Sequence, residues 1–265
     1  MQIANPFYAA RFASKYGNRL PDRTYNVLDL FSGIGGFSLG LEHAGMKTVA
    51  FCEIDGYCKQ VLARHWPGIP VYDDIRQLNS RRLHHDRIPP IDIICGGYPC
   101  QPFSIAGNRR GIQDPRHLWP EMYRLIREIR PRWVICENVP GHVELGLDAV
   151  LDDLENAGYT ATPFIIPACA VGAPHRRDRI WIVAHAARLR SPDGFRAQSR
   201  QPACELSPAA VQWDLPTPFT VGSDDGVPDR LDRARALGNA VVPQIPEVIG
   251  RAIMAFEKLS VVLKT

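Results

Sequence analysis

Residues 25–36 read YNVLDLFSGIGG, and this stretch decides the class of fold. Its first half, up to Leu30, is a short apolar run that predicts a buried strand. The glycines after it let the backbone approach a ligand, and the N-terminus of a following helix offers free N–H groups. The stretch is not a P-loop, since no Gly-Lys-Ser/Thr follows, and it lacks the spacing of the dinucleotide fingerprint. It predicts a strand-to-helix turn of a kind that many nucleotide-binding folds share.

Strands and helices alternate along the chain that follows. Apolar runs predict further strands near residues 47–55, 69–72, 91–97, 132–139, 159–167 and 179–186. Helices are predicted near residues 37–45, 56–65, 118–130 and 148–158, and from about Pro246 after a turn. Such alternation predicts an α/β fold with a mostly parallel, twisted sheet and helices on both faces. The last two strands follow each other without a helix, which allows an antiparallel edge.

The composition is that of a globular protein in a reducing compartment. Of the 265 residues, 45% are hydrophobic and 22% charged, and a net charge of +3 permits nucleic-acid binding without arguing for it. The seven cysteines include no C-x-x-C pair, which argues against a disulfide scaffold and a structural metal site. No run of about 18 apolar residues is present, so we expect a soluble cytoplasmic protein with no membrane partner.

Two stretches fall outside the alternating pattern. Residues 1–24 mix aromatic and basic residues, and this N-terminal extension is either a surface tail or a basic arm that contacts phosphates. Residues 186–233 are rich in Arg, Ser, Pro, Asp and Gly, and irregular stretches of such length are usually functional or disordered. Residues 25–185 and 234–265 are predicted to form a single domain around this insertion.

Two acidic residues follow neighbouring predicted strands. Glu53 ends the second strand, where an acidic side chain can bind ribose hydroxyls, and Asp74 follows the third strand, where it can accept from an adenine amino group. Either residue alone is as well explained as a solvated loop carboxylate. Together, beside the glycine turn, they favour a cofactor that carries adenosine.

A cysteine lies between two prolines after the fourth predicted strand, in GYPCQPFS at residues 97–104. Cys100 is either a small half-buried residue in a rigid turn or a residue placed to react. The octapeptide by itself leaves both interpretations open.

Seven segments of the chain together resemble one enzyme family. They occur in the order DLFSGIGG, CEID, DDI, GGYPCQPFS, ENV, HRRDR and ALGNAVVP. This set is similar to the motifs of the DNA (cytosine-5) methyltransferases. The resemblance implies a Rossmann-like, S-adenosylmethionine-dependent methyltransferase fold. It also implies methyl transfer to C5 of a cytosine flipped out of double-stranded DNA.

The same resemblance assigns roles to individual residues. Cys100 is expected to attack C6 of the cytosine and form a covalent intermediate, Glu137 to hydrogen-bond N3 and the exocyclic amine, and Arg179 to hold the cytosine carbonyl. Arg177 is expected to be a second active-site or phosphate contact. The cofactor residues implied by the family motifs are Phe31, Gly33, Gly36, Glu53, Asp74, Ile75, Pro99, Leu118, Asn239 and Val241. The residues expected to close over DNA, or else to form an ordinary basic loop, are Ser104, Arg109 and Arg110.

The chain departs from the family pattern in its recognition region. Residues 186–233 are much shorter than the usual target-recognition region, and His175 stands where the arginine motif usually has glutamine. The pattern resembles compact, phage-like members of the family. Two alternatives remain open from the sequence, namely methylation of cytosine in transfer RNA and a catalytically idle protein that binds DNA or the cofactor. A cognate restriction endonuclease is a further candidate partner, and the sequence does not set the oligomeric state.

Overall fold

The computed structural model describes residues 23–99, 118–187 and 230–262. Its strands are β1 (Asn26–Leu30), β2 (Lys47–Cys52), β3 (Val71–Tyr72), β4 (Ile93–Gly96), β5 (Trp133–Asn138), β6 (Tyr159–Pro167) and β7 (Asp178–Ala186). Its helices are α1 (Gly36–His43), α2 (Gly56–His65), α3 (Ser80–His85), α4 (Trp119–Ile129), α5 (His142–Leu145), α6 (Leu147–Asn156), α7 (Arg230–Asn239) and α8 (Gln244–Val262). A short 3₁₀-helix, Ala168–Val171, joins β6 to β7.

The described strands form one mixed sheet in the order β3-β2-β1-β4-β5-β7-β6. All neighbouring strands from β3 to β5 pair in parallel, and β7 is antiparallel to both of its neighbours. The chain runs outward from β1 to β3 and then returns to β4 on the other side of β1. This reversal is the topological switch point at which open α/β sheets bind ligands, beyond the carboxyl ends of the strands.

The antiparallel strand brings a distant part of the chain to that ligand-binding edge. Because β7 runs against β5, its first residues lie beside the last residues of β5, with Asn138 opposite Ile180 and Glu137 opposite Trp181. The predicted antiparallel strand is therefore present. The predicted antiparallel edge is confirmed, since the edge strand β6 pairs antiparallel with β7, which lies inside the sheet.

Both faces of the sheet are covered by helices, as the strand sequences require. Along β1, for example, Val27 packs in the cluster that includes residues of α1 and α8, whereas Leu28 packs in the cluster that includes α4 and α6. The fully buried residues Ile93 and Ile94 of β4 divide in the same way. Strands buried on both faces read as continuous apolar runs, which is why they were predictable.

Three described helices were not predicted from the sequence, namely α3, α5 and α7. Helix α7 spans residues that were predicted to be irregular chain and a turn, and α8 begins at Gln244 rather than near Pro246. Among the described helices, none is both long enough and apolar enough to cross a membrane.

Candidate active site

The glycine turn after β1 is a tight, left-handed stretch of backbone. Phe31 and Gly33 both have φ of +53°, and Gly35 has φ of +87°. The Ser32 hydroxyl donates to the Asp29 carbonyl oxygen at 2.6 Å and closes the turn. Positive φ in a phenylalanine is strained, and such strain is concentrated at ligand sites. The predicted cofactor residues Phe31 and Gly33 therefore lie in a turn whose shape is imposed by its surroundings.

Asp29 fastens the start of α1 to the end of β1. Its Oδ2 accepts from the Ser38 N–H at 3.2 Å and from the Ser38 hydroxyl at 2.7 Å, and the carboxyl is completely buried. Burial raises the pKa of Asp29 from 3.8 to about 7. No role was predicted for Asp29 from the sequence, although it lies within residues 25–36.

Glu53 is held against the glycine turn by two backbone hydrogen bonds. Its Oε2 accepts from the Gly33 N–H at 2.7 Å, and its Oε1 accepts from the Asp55 N–H at 2.7 Å. Each oxygen keeps a second lone pair for another donor. Ile54 lies between Glu53 and Asp55 and is 67% exposed. It was not predicted as a site residue, although an apolar residue between two acidic ones at the end of a buried strand could have indicated it.

The loop after β3 presents a second carboxylate at the same edge. Asp74 accepts from the Arg76 N–H at 3.0 Å and pairs with the Arg76 guanidinium, and these bonds lower the pKa of Asp74. Ile75 is buried beneath it. The Arg124 guanidinium of α4 donates to the Ile75 and Leu78 carbonyl oxygens at 2.9 and 2.8 Å. The loop after β3 is therefore held in place by a side chain of α4.

The C-terminal segment meets the glycine turn directly. A Cβ on Gly36 would lie 2.9 Å from both the Cγ2 and the carbonyl oxygen of Val241, so only glycine fits there. Asn239 ends α7 two residues earlier and is exposed. Leu118, also predicted near the cofactor, precedes α4 and packs against the apolar core. The structure thus brings Gly36 and Val241 together from opposite ends of the chain.

Glu137 and Arg179 form an ion pair at the carboxyl end of β5. Arg179 Nε lies 3.0 Å from Glu137 Oε1, and both side chains are largely buried. Burial raises the pKa of Glu137 from 4.5 to about 7, although the guanidinium groups of Arg179 and Arg177 lower it. A Cβ on Gly97 would lie 3.0 Å from Glu137 Oε2, which places the end of β4 beside this carboxyl. Near neutral pH such a group can either donate or accept a proton.

Arg177 attaches the C-terminal segment to this pair. Its Nη2 donates to the Gly238 and Ala240 carbonyl oxygens at 2.7 and 2.9 Å, and its φ is +37°. Burial and the nearby Arg179 charge lower the pKa of Arg177. The guanidinium therefore makes backbone contacts that were not predicted from the sequence, in addition to its electrostatic interaction with Glu137.

The chain beyond β4 leaves the sheet at Pro99, which is exposed. Just before it, the buried Tyr98 hydroxyl lies 2.7 Å from His142 Nε2. Neither residue was singled out from the sequence. The predicted nucleophile and the residues predicted to close over DNA lie outside the described residues; these are Cys100, Ser104, Arg109 and Arg110.

A family model described as C-5 cytosine-specific DNA methylase matches residues 25–215. The chain belongs to this family. The match begins at the stretch that decides the fold and includes β1–β7, with the carboxyl edge on which Glu53, Asp74, Glu137 and Arg179 lie.

Individual relatives of the methylase family agree with this assignment. Type II methyltransferase M.HgiBI of Herpetosiphon aurantiacus is 36% identical over 170 residues, which are 62% of this chain and 38% of that protein. Type II methyltransferase M.Eco47II of Escherichia coli is 35% identical over 196 residues, 69% of this chain and 45% of that protein. A solved structure described as a DNA modification methyltransferase encoded within an E. coli prophage superposes with a TM-score of 0.56. It is 30% identical and covers 68% of this chain and 52% of that one.

The chain is similar to only part of these methylases. It spans well under half the length of M.HgiBI and about half of the prophage protein. The segment that the family model matches, residues 25–215, contains all seven described strands, and this match establishes the family.

Proposed function

We propose that the chain is a DNA (cytosine-5) methyltransferase that uses S-adenosylmethionine. The observation that carries this proposal is the buried Glu137–Arg179 pair, which faces the end of β4 from which the Pro-Cys motif continues. The family supplies the expectation that Cys100 is the nucleophile. The acidic Glu137 and the cationic Arg179 support this proposal, because such a nucleophile requires groups of both kinds beside the base.

The residues at the switch point fit the adenosine part of the cofactor. Glu53 is fixed by two backbone N–H groups and keeps two lone pairs directed away from them, which suits a pair of ribose hydroxyls. Asp74 is kept ionised by Arg76 and suits an adenine amino group, while the exposed Ile54 offers an apolar surface. We assign the methionine end to the turn of Phe31, Gly33 and Gly36. Pro99, Leu118, Asn239 and Val241 would complete the surroundings. When bound, S-adenosylmethionine supplies an electrophilic methyl group for C5 of the base.

The protein's own residues would activate an unreactive base. C5 of cytosine is a weak nucleophile, and attack of the Cys100 thiolate on C6 makes C5 enamine-like. The electron pair released into the ring gathers at N3, where Glu137 in its protonated form donates a hydrogen bond or proton. Arg179 would hold the carbonyl at C2. After methylation, loss of the C5 proton to a base expels the thiolate and restores the aromatic ring.

The target cytosine must leave the duplex to reach these groups. Its C5 and C6 are stacked inside B-DNA, so the base has to be flipped into the pocket at a cost of a few kcal/mol. We propose that residues 186–233 act as a short recognition segment and that Ser104, Arg109 and Arg110 contact DNA. Ser104, Arg109, Arg110 and residues 188–229 of this segment lie outside the described residues. A cognate restriction endonuclease is the partner suggested by the Type II names of the relatives.

Trapping of the covalent intermediate tests the reaction. Duplex DNA that contains 5-fluorocytosine should give an adduct that resists denaturation, because fluorine at C5 cannot leave as a proton would. Cys100→Ala should give none. Cys169→Ala, which removes an exposed cysteine at the 3₁₀-helix, is the matched control and should leave the adduct unchanged. A wild-type chain that binds DNA yet never forms the adduct would support the idle binding protein instead.

The nature of the nucleic acid is tested separately. The family description and the names of the Type II relatives favour DNA over transfer RNA. We expect labelled methyl groups to pass from S-adenosylmethionine to duplex DNA and not to transfer RNA. Methyl transfer to RNA alone would mean that the substrate is RNA and not DNA, and the proposed attack of Cys100 on cytosine would still hold. Bisulfite sequencing of DNA from cells that express the protein would then identify the recognition site.

A further inference from the structure

The buried hydroxyl of Tyr98 joins two loops of the active-site edge. Tyr98 directly follows Gly97, just beyond the end of β4, and its Oη lies 2.7 Å from Nε2 of His142, which begins α5. Both side chains are buried, and the Tyr98 ring also packs on Trp119, with centroids 5.1 Å apart. A tyrosine in this place therefore makes a specific polar contact as well as filling space.

A second bond runs between the same two loops. The Asn138 amide Nδ2 donates to the Tyr98 carbonyl oxygen at 3.2 Å, and Asn138 immediately follows Glu137 in β5. Gly97, on the other side of Tyr98, lies against the Glu137 carboxyl. The backbone at Tyr98 is thus held to the end of β5 and the start of α5 through its carbonyl, its side chain and its neighbouring glycine.

We propose that Tyr98 and His142 are positioning residues, which fix the point at which the chain leaves β4 toward Cys100 relative to Glu137. This inference rests on the proposed function, because it assigns the reacting cysteine to the residue two places after Tyr98. Covalent catalysis depends steeply on such placement, and a displacement of about 1 Å can cost on the order of 100-fold in rate. A phenylalanine would fill the same space and pack on Trp119, but it would leave His142 without this contact.

Tyr98→Phe isolates the hydroxyl from the ring. We expect the variant to fold, and to form the 5-fluorocytosine adduct about tenfold more slowly than wild type in single turnover. The dissociation constant for S-adenosylhomocysteine should change less than twofold, because the hydroxyl contacts His142, which follows β5, and Glu53 and Asp74 follow β2 and β3.

Tyr159→Phe is the matched control. Tyr159 is also a buried tyrosine, and its hydroxyl donates to the Pro131 carbonyl oxygen at 2.7 Å. It is the first residue of β6 and pairs with Ala186, so it lies at the end of the sheet away from Glu137 and Arg179. This variant should lose thermal stability and keep the wild-type rate of adduct formation. Equal rates for Tyr98→Phe and wild type would overturn the inference.

His142→Leu tests the partner and replaces Tyr98→Phe should that variant not fold. The ring nitrogens are lost and apolar bulk is kept, so the rate should fall by a factor similar to that of Tyr98→Phe. The double variant should be no slower than either single one, since both remove the same contact. Additive losses would show that the two residues act independently and would also overturn the inference.

Amide hydrogen exchange separates this inference from the proposed function. The N–H groups of Gly97 and Tyr98 should exchange faster in Tyr98→Phe and not in Tyr159→Phe, whether or not any adduct forms. A wild-type protein without an adduct would therefore refute the reaction, whereas unchanged exchange at these two amides would refute the positioning role.

Discussion

Arg179 Nε lies 3.0 Å from Glu137 Oε1, across two strands that run in opposite directions. Because β7 is antiparallel, the arginine at its beginning reaches the same edge as the glutamate near the end of β5. The pair combines two opposing effects on the carboxyl. Burial raises its pKa more than the two guanidinium groups lower it, and the result is a glutamate that titrates at about 7.

Glu137→Gln should change the pH dependence of adduct formation as well as its rate. The amide can donate a hydrogen bond to N3 but cannot transfer a proton, so the rate should fall by roughly 10²-fold or more. The protonated fraction of Glu137 is constant well below pH 7 and decreases tenfold for each pH unit above it. The ratio of the wild-type rate to the variant rate should follow that fraction, which single-turnover trapping between pH 5.5 and 9 would measure. Taking the ratio cancels the titration of Cys100. A ratio that rises with pH would mean that the ionised glutamate is the active form.

Loss of the Arg177 side chain should weaken cofactor binding. The two bonds to the Gly238 and Ala240 carbonyls hold the segment that continues to Val241, and their removal in Arg177→Ala should raise the dissociation constant of S-adenosylhomocysteine about tenfold. Titration calorimetry measures this constant directly.

Two further variants separate the roles of the Arg177 side chain. Arg177→Lys keeps the positive charge beside Glu137 but not the forked donor geometry, so it should show the binding defect without altering the pH profile. Arg176→Ala is the control, because Arg176 is 83% exposed and pairs only with Asp178 among the described residues. A binding defect as large in Arg176→Ala would indicate a general effect of charge.

The central strands of the sheet were predictable because they are buried on both faces. Runs such as NVLDL in β1 and WVICEN in β5 are mainly apolar and do not alternate between apolar and polar residues as a half-exposed strand does. The glycine turn determines where α1 begins. The antiparallel pairing of β7 was foreseen from the missing helix. Its place inside the sheet was not, because strand order depends on contacts between distant residues.

The parts that escaped prediction are held by polar contacts with distant residues. Four of the ten residues of α7 are charged, and the helix is attached through Arg235 to Asp55 at 2.6 Å and through the Gly238 carbonyl oxygen to Arg177. The bond between Tyr98 and His142 joins residues 44 positions apart. Local periodicity reports which face of an element is apolar and contains no information about such pairs.

The assignment of Asp74 to adenine can be tested against its neighbour. Asp74→Asn removes an ionised acceptor and should weaken binding of S-adenosylhomocysteine about tenfold, since hydrogen bonds to charged groups contribute roughly 1.5–3 kcal/mol. Asp73→Asn is the matched control. Asp73 has the same charge, is 75% exposed and pairs with Lys59, so its loss should change the dissociation constant less than twofold. Equal effects from both substitutions would remove Asp74 from the site and leave only a general electrostatic attraction.

The stability of the fold should depend on pH through Asp29. Its pKa is about 7 in the folded protein and 3.8 ordinarily, so between these values the folded state binds a proton that the unfolded state does not. The stabilisation from this group is therefore complete below about pH 4 and is lost as the pH rises through 7. Asp29→Asn keeps acceptors for Ser38 and carries no charge. At pH 8 it should have a free energy of unfolding higher than wild type by on the order of 2 kcal/mol, and the difference should shrink at pH 5.

Asp92→Asn is expected to lower the free energy of unfolding at pH 8, which is the opposite of the effect expected for Asp29→Asn. Asp92 pairs with the Arg23 guanidinium and accepts from the Asn26 N–H, whereas no ion pair in the described part of the chain includes Asp29. Removing the charge of Asp92 weakens its hydrogen bonds to the half-exposed Arg23 guanidinium and to the Asn26 N–H, so this variant should be less stable than wild type at pH 8. Urea unfolding of both variants at pH 5 and pH 8 measures the four differences. A destabilised Asp29→Asn at pH 8 would mean that the buried carboxylate is stabilised as an anion, contrary to its raised pKa.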